Sequence, residues 1–148
     1  MSNKLTLRRQ AVHSILVKDF MDYDPHAIPV TANIRDVVKC LLKAGIIGAP
    51  VIDENEKVVG FVSEQDCIKE MLNDVFYCEE PPMVTAVMRT DVLTVTPDSS
   101  IVEIAQTMLQ DKPKNYPVVD DGKLVGLINR SLILKALLEN DDDCYIHH

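Results

Sequence analysis

Apolar and polar residues alternate along the chain in short segments whose spacing predicts helices and strands in turn. Between Asn33 and Gly45, apolar residues recur at helical spacing, and these two residues suit the N-cap and the C-cap of that helix. Residues 50–52 and 58–62 are apolar runs separated by a polar turn, which predicts a hairpin of two strands. Ser63 then begins a second helix, so the pattern predicts a mixed α/β unit.

The same order of elements occurs twice. Pro50 and Asp53 recur as Pro117 and Asp120 at the same separation along the chain. Each copy also begins with a short predicted strand, at residues 27–31 and 93–95. Because a unit of this size cannot bury a core alone, we expect the copies to pack on each other with pseudo-twofold symmetry. The predicted fold class is α/β (α+β), with two β-α-β-β-α repeats.

The repeats divide the chain into five segments. The predicted segments are an N-terminal arm (1–13), a first repeat (14–73), a linker (74–83), a second repeat (84–139) and an acidic C-terminal tail (140–148). The linker contains two consecutive prolines, which cannot continue a helix. We expect the acidic tail to be disordered. His147 and His148 are either native residues or the start of a purification tag.

Composition narrows the class of protein. The chain has 148 residues, a net charge of −8 and 47% hydrophobic residues, which is ordinary for a globular domain. The negative charge repels a phosphate backbone, and the longest apolar runs are far shorter than a bilayer span. We therefore expect no nucleic-acid partner and no membrane partner. The four cysteines form no C-x-x-C pair and, with no signal peptide, predict a cytoplasmic protein with reduced thiols.

One junction carries side chains suited to a small polar ligand. Ser63 and Asp66 place a hydroxyl and a carboxylate three residues apart where a strand meets a helix. A carboxylate there can accept both hydroxyls of a ribose, and the free N–H groups of the helix start can meet a sugar or phosphate oxygen. The alternative is purely structural, with Ser63 as N-cap and Asp66 completing a capping box. Spacing alone favours the cap.

The repeat and this junction together resemble a pair of cystathionine-β-synthase (CBS) domains, from about residue 17 to about residue 138. In both copies the pattern P-V-[IV]-D precedes [LV]-V-G-[FL]-[VI]. The resemblance implies a stand-alone pair, often called a Bateman module, whose clefts between the two repeats bind adenosyl compounds. The implied ligands are AMP, ADP, ATP and S-adenosylmethionine, with no catalytic cofactor.

The resemblance also implies which residues form the site. The ribose-binding pattern G-h-x-[ST]-x-x-D is matched by Gly60, Ser63 and Asp66. Asp66 is then expected to take the ribose hydroxyls, and Ser63 to orient the sugar and phosphate. We call this the first cleft. The other positions implied for it are Gly48, Ala49, Pro50, Met88, Thr90, Val92, Pro113, Lys114 and Asn115.

The second copy departs from the pattern, with Asn129 in place of Ser or Thr and Leu132 in place of the Asp. Leu132 cannot accept hydrogen bonds from a ribose, and each hydroxyl left unpaired on burial costs about 1–3 kcal/mol. We therefore expect this second cleft to bind ribonucleotides poorly and Asn129 to act as a helix cap. In the first cleft, Gly48 stands where the family often has a charged or polar phosphate contact, and Lys112, Lys114 and Arg130 are either substitutes for that contact or surface charges.

The residues support two functions and disfavour a third. The first is a regulatory module that senses an adenosyl compound and changes the packing of its repeats. The alternative is a ligand-free dimerisation module that acts through protein partners. An enzyme is not expected, because the sequence has no nucleophile–base pair, metal-ligand cluster or Gly-rich phosphate loop. The long apolar face of the last helix should meet either the other repeat or another subunit, and we expect a homodimer in which the helices of two chains pack together.

Overall fold

A computed structural model describes residues 15–110 and 113–146, with side chains described as far as Asp141. The predicted arm (1–13), Lys112 and the terminal histidines therefore lie outside the described residues. The first repeat contains β1 (Ile28–Pro29), α1 (Ile34–Ala44), β2 (Gly48–Ile52), β3 (Val58–Ser63) and α2 (Glu64–Tyr77). The second repeat contains α3 (Ile101–Met108), β4 (Asn115–Asp120), β5 (Lys123–Asn129) and α4 (Arg130–Ile146).

Each repeat builds its sheet around the predicted hairpin. In the first repeat, β2 pairs antiparallel with β3 and parallel with β1, which gives the order β1-β2-β3. In the second repeat, β4 pairs antiparallel with β5. The strand expected at residues 93–95 is reduced to a single parallel bridge between Val95 and Val118. This bridge corresponds to the β1–β2 pairing, so the predicted strand exists as one contact.

The ends of α1 are where the sequence predicts them. The Asn33 side chain accepts a hydrogen bond from the Asp36 N–H at 3.0 Å, and Asp36 Oδ2 accepts from the Asn33 N–H at 3.2 Å. Gly45 ends the helix in the left-handed region, with φ of 66°, which glycine adopts at little cost. Local chemistry alone therefore determines both ends of α1.

The short segment that precedes each repeat packs against the core of the other repeat. The chain forms a 3-10 turn at Val17–Asp19 and another at Val84–Ala86. Val17 is fully buried in the core of the second repeat, and its N–H donates to the Ser99 carbonyl at 3.0 Å. Val84 is fully buried in the core of the first repeat, and its N–H donates to the Ala32 carbonyl at 2.9 Å. Each core is thus completed by the segment that precedes the other repeat.

The prediction that the acidic tail is disordered is wrong for the residues up to Ile146. Helix α4 continues through the acidic residues to that position. The segment after Leu138 contains no glycine or proline before Ile146, so nothing in the sequence stops the helix that the apolar stripe begins. No helix within the described parts of the chain is long and apolar enough to cross a bilayer.

Candidate ligand clefts between the repeats

The Ser63–Asp66 junction forms a reciprocal helix cap. Asp66 Oδ2 accepts hydrogen bonds from the Ser63 N–H at 3.0 Å and from Ser63 Oγ at 2.9 Å. Ser63 Oγ in turn accepts from the Asp66 N–H at 3.3 Å. Both side chains are half-buried, at the start of α2. The capping role that spacing favours is therefore confirmed.

The cap leaves part of the Asp66 carboxylate available. Oδ2 takes both bonds from Ser63, whereas Oδ1 receives none from any residue that the structure describes. A free carboxylate oxygen can accept from a hydroxyl of a ligand. The single hydroxyl hydrogen of Ser63 is already donated to Asp66, so Ser63 can only accept further bonds. Capping and ligand binding are compatible at Asp66.

The segment before the second repeat crosses β3 beside this junction. The N–H of Phe61 donates to the Arg89 carbonyl and the N–H of Arg89 to the Phe61 carbonyl, each at 2.9 Å. A Cβ added at Gly60 would lie 2.8 Å from the Arg89 carbonyl oxygen and would also overlap Met88. Gly60 therefore allows the crossing segment to approach closely. Among the implied site residues, Gly60, Ser63, Asp66 and Met88 are brought together, and exposed Thr90 and half-buried Val92 follow on the same segment.

The implied residues of β2 have different surroundings. Gly48 pairs with Ser63 across the hairpin, and a Cβ added there would lie 2.7 Å from the Phe61 ring. Ala49 is fully buried and belongs to the hydrophobic core of the first repeat. Pro50 is also fully buried. The side chain of Ala49 thus stabilises the core and is not exposed to a ligand.

The second cleft contains a half-open cavity of about 310 Å³. Three of the residues implied for the first cleft, Gly48, Lys114 and Asn115, line this cavity. Pro113 is exposed beside them. The rest of its lining is contributed by Asp22, Asp24, Pro25, His26, Gly45, Ile46, Ile47, Leu127, Asn129, Arg130 and Ser131. Lys114 and Arg130, predicted as phosphate contacts or surface charges for the first cleft, therefore line the second cleft instead.

The second cleft repeats the crossing geometry of the first. The N–H of Asp22 donates to the Leu127 carbonyl at 2.8 Å, and the N–H of Leu127 donates to the Asp22 carbonyl at 2.9 Å. A Cβ added at Gly126 would lie 2.6 Å from the Asp22 carbonyl oxygen. The pseudo-twofold symmetry thus extends to the close approach at each cleft.

The cap of α4 has no carboxylate. Asn129 Oδ1 accepts a hydrogen bond from the Leu132 N–H at 3.0 Å, which confirms the predicted cap. Leu132 is half-buried against the core of the second repeat. The second cleft therefore lacks the acceptor that Asp66 provides in the first.

Sequence reasoning missed the acidic side of the second cleft. His26 lines the cavity together with Asp22 and Asp24, although no catalytic or metal-binding motif surrounds these residues in the sequence. The available signal was the repeat itself, because these residues occupy the positions that correspond to the crossing segment of the first cleft. This correspondence between the repeats predicts a site only once it is known that each of these segments crosses a strand of the other repeat.

Two groups near the sheets have perturbed pKa values. Burial, and secondarily the neighbouring Asp66 charge, raises the pKa of the Cys67 thiol above its usual value. Burial likewise raises the pKa of Tyr116, which is 2% exposed in the core of the second repeat. The Tyr116 hydroxyl has no hydrogen-bond partner among the described residues. The raised pKa keeps the Cys67 thiol protonated within the core. Because only the thiolate is nucleophilic, Cys67 is a structural residue.

The model of the CBS domain family matches residues 17–73 and 84–139. The chain therefore belongs to the CBS domain family and carries two copies of the domain. The family match agrees with the paired cores and the two crossing segments that define the clefts.

Solved structures of CBS pairs share this fold. The crystal structure of CBSX2 of Arabidopsis thaliana in complex with AMP is 29% identical, with a TM-score of 0.73 over 84% of this chain and 96% of that one. The CBS domain pair of protein MJ0100, in complex with 5′-methylthioadenosine and S-adenosyl-L-methionine, is 26% identical. Its TM-score is 0.72, over 84% of this chain and 96% of that chain.

Curated relatives are often longer. The protein MJ1225 of Methanocaldococcus jannaschii is 25% identical over 82% of this chain, which spans 42% of that relative. The chain likewise spans less than half the length of several other curated relatives. The similarity therefore concerns the CBS pair and not the whole of those proteins.

Proposed function

We propose that this CBS pair is a regulatory, non-catalytic module that senses an adenosyl compound, with its ribose held at Asp66 in the first cleft. The observation that carries the proposal is the free Oδ1 of Asp66, beside a segment that crosses from the other repeat. The AMP complex of CBSX2 and the S-adenosylmethionine complex of MJ0100 support the ligand class. The candidate ligands are AMP, ADP, ATP and S-adenosylmethionine.

A ligand in this cleft can act on the packing of the two repeats. The crossing segment pairs with β3 and continues from Val84, which is buried in the first core. A ligand that touches both β3 and this segment favours one arrangement of the repeats over another. A protein partner that recognises one arrangement would then respond to ligand concentration. Three described cysteines, Cys40, Cys67 and Cys78, are free thiols, which supports a cytoplasmic setting.

Titration calorimetry of nucleotide-free protein with the four candidate ligands tests the proposal. We expect one site per chain, and Asp66→Ala should weaken binding by about 100-fold or more because charge-assisted hydrogen bonds are lost. Asp36→Ala is the matched control, because Asp36 completes the same capping box at the start of a different helix, α1. Each variant should lose about 1 kcal/mol of stability. Equal affinities in Asp66→Ala and Asp36→Ala would overturn the site.

We further infer that the chain forms a homodimer through its helices. An apolar groove of about 390 Å³ lies between α1 and α2 and is lined by Leu42, Ile68, Leu72 and Val75, which are 52–77% exposed. A second copy of the chain offers the matching apolar surface. Light scattering should show a dimer that Leu72→Glu dissociates. Met83→Glu is the control, because Met83 is exposed and apolar but lies outside the groove.

A ligand-free dimerisation module is the alternative function. It is favoured by the reciprocal cap, which gives Ser63 and Asp66 a structural role without any ligand. In that case the melting temperature of the dimer would be unchanged by all four adenosyl compounds. The same titrations therefore decide between the two functions.

A further inference from the structure

The second cleft carries charges of both signs on different segments. Asp22 and Asp24 lie on the crossing segment, whereas Lys114 precedes β4 and Arg130 begins α4. None of Asp22, Lys114 and Arg130 forms an ion pair with any residue in the described parts of the chain. All four charged residues line the same cavity. The lining of the cavity thus combines two anionic and two cationic residues, all of them exposed to solvent and accessible to one ligand.

The two carboxylates keep capacity for a ligand. Asp22 Oδ1 accepts from the Asp24 N–H at 2.9 Å, and Asp24 Oδ1 accepts from the His26 N–H at 3.3 Å. These bonds fix the turn and orient the side chains. Asp24 Oδ2 lies 3.7 Å from His26 Nε2, and Asp22 Oδ2 has no partner among the described residues. Both second oxygens can therefore accept from an ammonium group.

The same cavity disfavours ribonucleosides and polyphosphates. Leu132 stands where a ribose acceptor would be needed, and Asn129 Oδ1 is already bonded to the Leu132 N–H at 3.0 Å. The several negative charges of a polyphosphate would be repelled by Asp22 and Asp24, which line the cavity. Neither obstacle applies to a small molecule that carries one positive and one negative group.

We propose that the second cleft binds a small zwitterion without a ribose, with its ammonium group at Asp22 and Asp24 and its carboxylate or phosphate at Lys114 and Arg130. Ser131 and Asn115 also line the cavity, and a hydroxyl and an amide can complete the polar contacts. The volume of about 310 Å³ lies within the range of small-molecule sites. This inference goes beyond the proposed function and does not depend on it.

Calorimetry with O-phosphoethanolamine and β-alanine tests the proposal, because each probe joins an ammonium group to one type of anion. Inorganic phosphate, acetate and ethanolamine are the corresponding halves, compared at equal ionic strength. We expect at least one zwitterion to bind about tenfold or more tightly than either of its halves, since two charge-assisted contacts form together. The phosphate and carboxylate probes distinguish the two anion types. Equal affinity of the zwitterions and their halves, or no binding of either zwitterion, overturns the proposal.

Variants locate the site. In the double variant Asp22→Asn and Asp24→Asn, the amide oxygens can still accept the turn hydrogen bonds, but the negative charges are gone. Zwitterion binding should weaken by about tenfold while inorganic phosphate binds more tightly. Lys114→Ala with Arg130→Ala should weaken the zwitterion to a similar degree. Arg35→Ala is the control, because Arg35 is a surface cation outside the cavity that pairs with Asp74 at 3.9 Å.

Asp66→Ala separates this inference from the proposed function. The substitution should weaken adenosyl binding by about 100-fold or more and leave zwitterion binding unchanged, because Asp66 does not line the second-cleft cavity. If adenosyl compounds fail to bind but the zwitterion binds, only the proposed function is wrong. If the zwitterion binds equally well to the Lys114→Ala, Arg130→Ala variant, this inference is wrong.

Discussion

Both repeats turn from a strand into a helix at a polar cap, but a carboxylate completes that cap only in the first repeat. Ser63 and Asp66 exchange hydrogen bonds, whereas Asn129 makes a single bond to the N–H of Leu132. Both caps are preceded by a glycine at which an added Cβ would overlap the crossing segment. Both copies thus keep the glycine that the close approach requires, but the third helical residue is Asp66 in one and Leu132 in the other. The fold therefore constrains the glycine, whereas the residue that would contact a ligand differs between the repeats.

The largest effect should come from giving the first cleft the residue of the second. Asp66→Leu removes the carboxylate that completes the cap and keeps a free oxygen for the ribose, so AMP affinity should fall by about 100-fold or more in calorimetry. Asp36→Leu, with the same change in the capping box of α1, should bind AMP normally. A modest loss of affinity would mean that the ribose is held elsewhere.

The reverse exchange should create a nucleotide site in the second cleft. Asn129→Ser with Leu132→Asp restores the ribose-binding pattern, and calorimetry should then detect a second, weaker AMP site per chain. The variant should also be less stable, because Leu132 packs against the second core. An unchanged stoichiometry in folded protein would show that the difference between the clefts extends beyond these two positions.

A smaller effect is expected on stability when the close approach is blocked. Gly126→Ala places a Cβ 2.6 Å from the Asp22 carbonyl oxygen, so the crossing segment must shift. Urea denaturation should show a loss of about 1–3 kcal/mol. Gly60→Ala meets the Arg89 carbonyl oxygen at 2.8 Å and should cost a similar amount. Wild-type stability in both variants would mean that the crossing segments are not held closely against the strands.

The smallest effect concerns Tyr116, which stands where the first repeat has Ala49. Because its buried hydroxyl has no partner among the described residues, Tyr116→Phe should leave stability at pH 7 unchanged or raise it by about 1 kcal/mol. Burial raises the pKa of Tyr116 above its ordinary value, so the folded state holds this proton more tightly than the unfolded state. The stability that depends on holding this proton is therefore fully present below the ordinary tyrosine pKa of about 10 and is lost as pH rises above it.

Denaturation of wild type and Tyr116→Phe on either side of that pH measures this contribution. Wild type should lose more stability than the variant on going to the alkaline side. A large loss of stability in Tyr116→Phe at pH 7 would indicate that the hydroxyl has a partner in the folded protein.

Features determined within a few residues were predicted well. Asn33, Gly45, Ser63 and Asn129 act as caps because each side chain or backbone conformation meets the needs of the adjacent helix end. The hairpins follow from apolar runs and the turns between them. The strand predicted at residues 93–95 is longer than the observed bridge, in which only Val95 has a parallel partner. The number of residues that pair in parallel depends on tertiary packing and not on local propensity.

The helix end at Ile146 was also missed. An acidic composition suggested disorder, whereas the residues from Leu138 onward lack the glycine or proline that would stop a helix. An acidic composition favours solvent exposure, but it does not end a helix that is already formed. Adding residues to an existing helix costs less than nucleating a new one, so α4 continues.

The sequence by itself determined the two repeats, their caps and hairpins, and the absence of a carboxylate at Leu132, because each depends on residue identity within a short span. Only the tertiary structure decided that Val17 completes the second core and Val84 the first. It also placed Asp22, Lys114 and Arg130 around one cavity, although they are far apart in the chain. The physical reason is that buried apolar contacts are non-directional, so either repeat could have accepted each preceding segment until the whole core was packed.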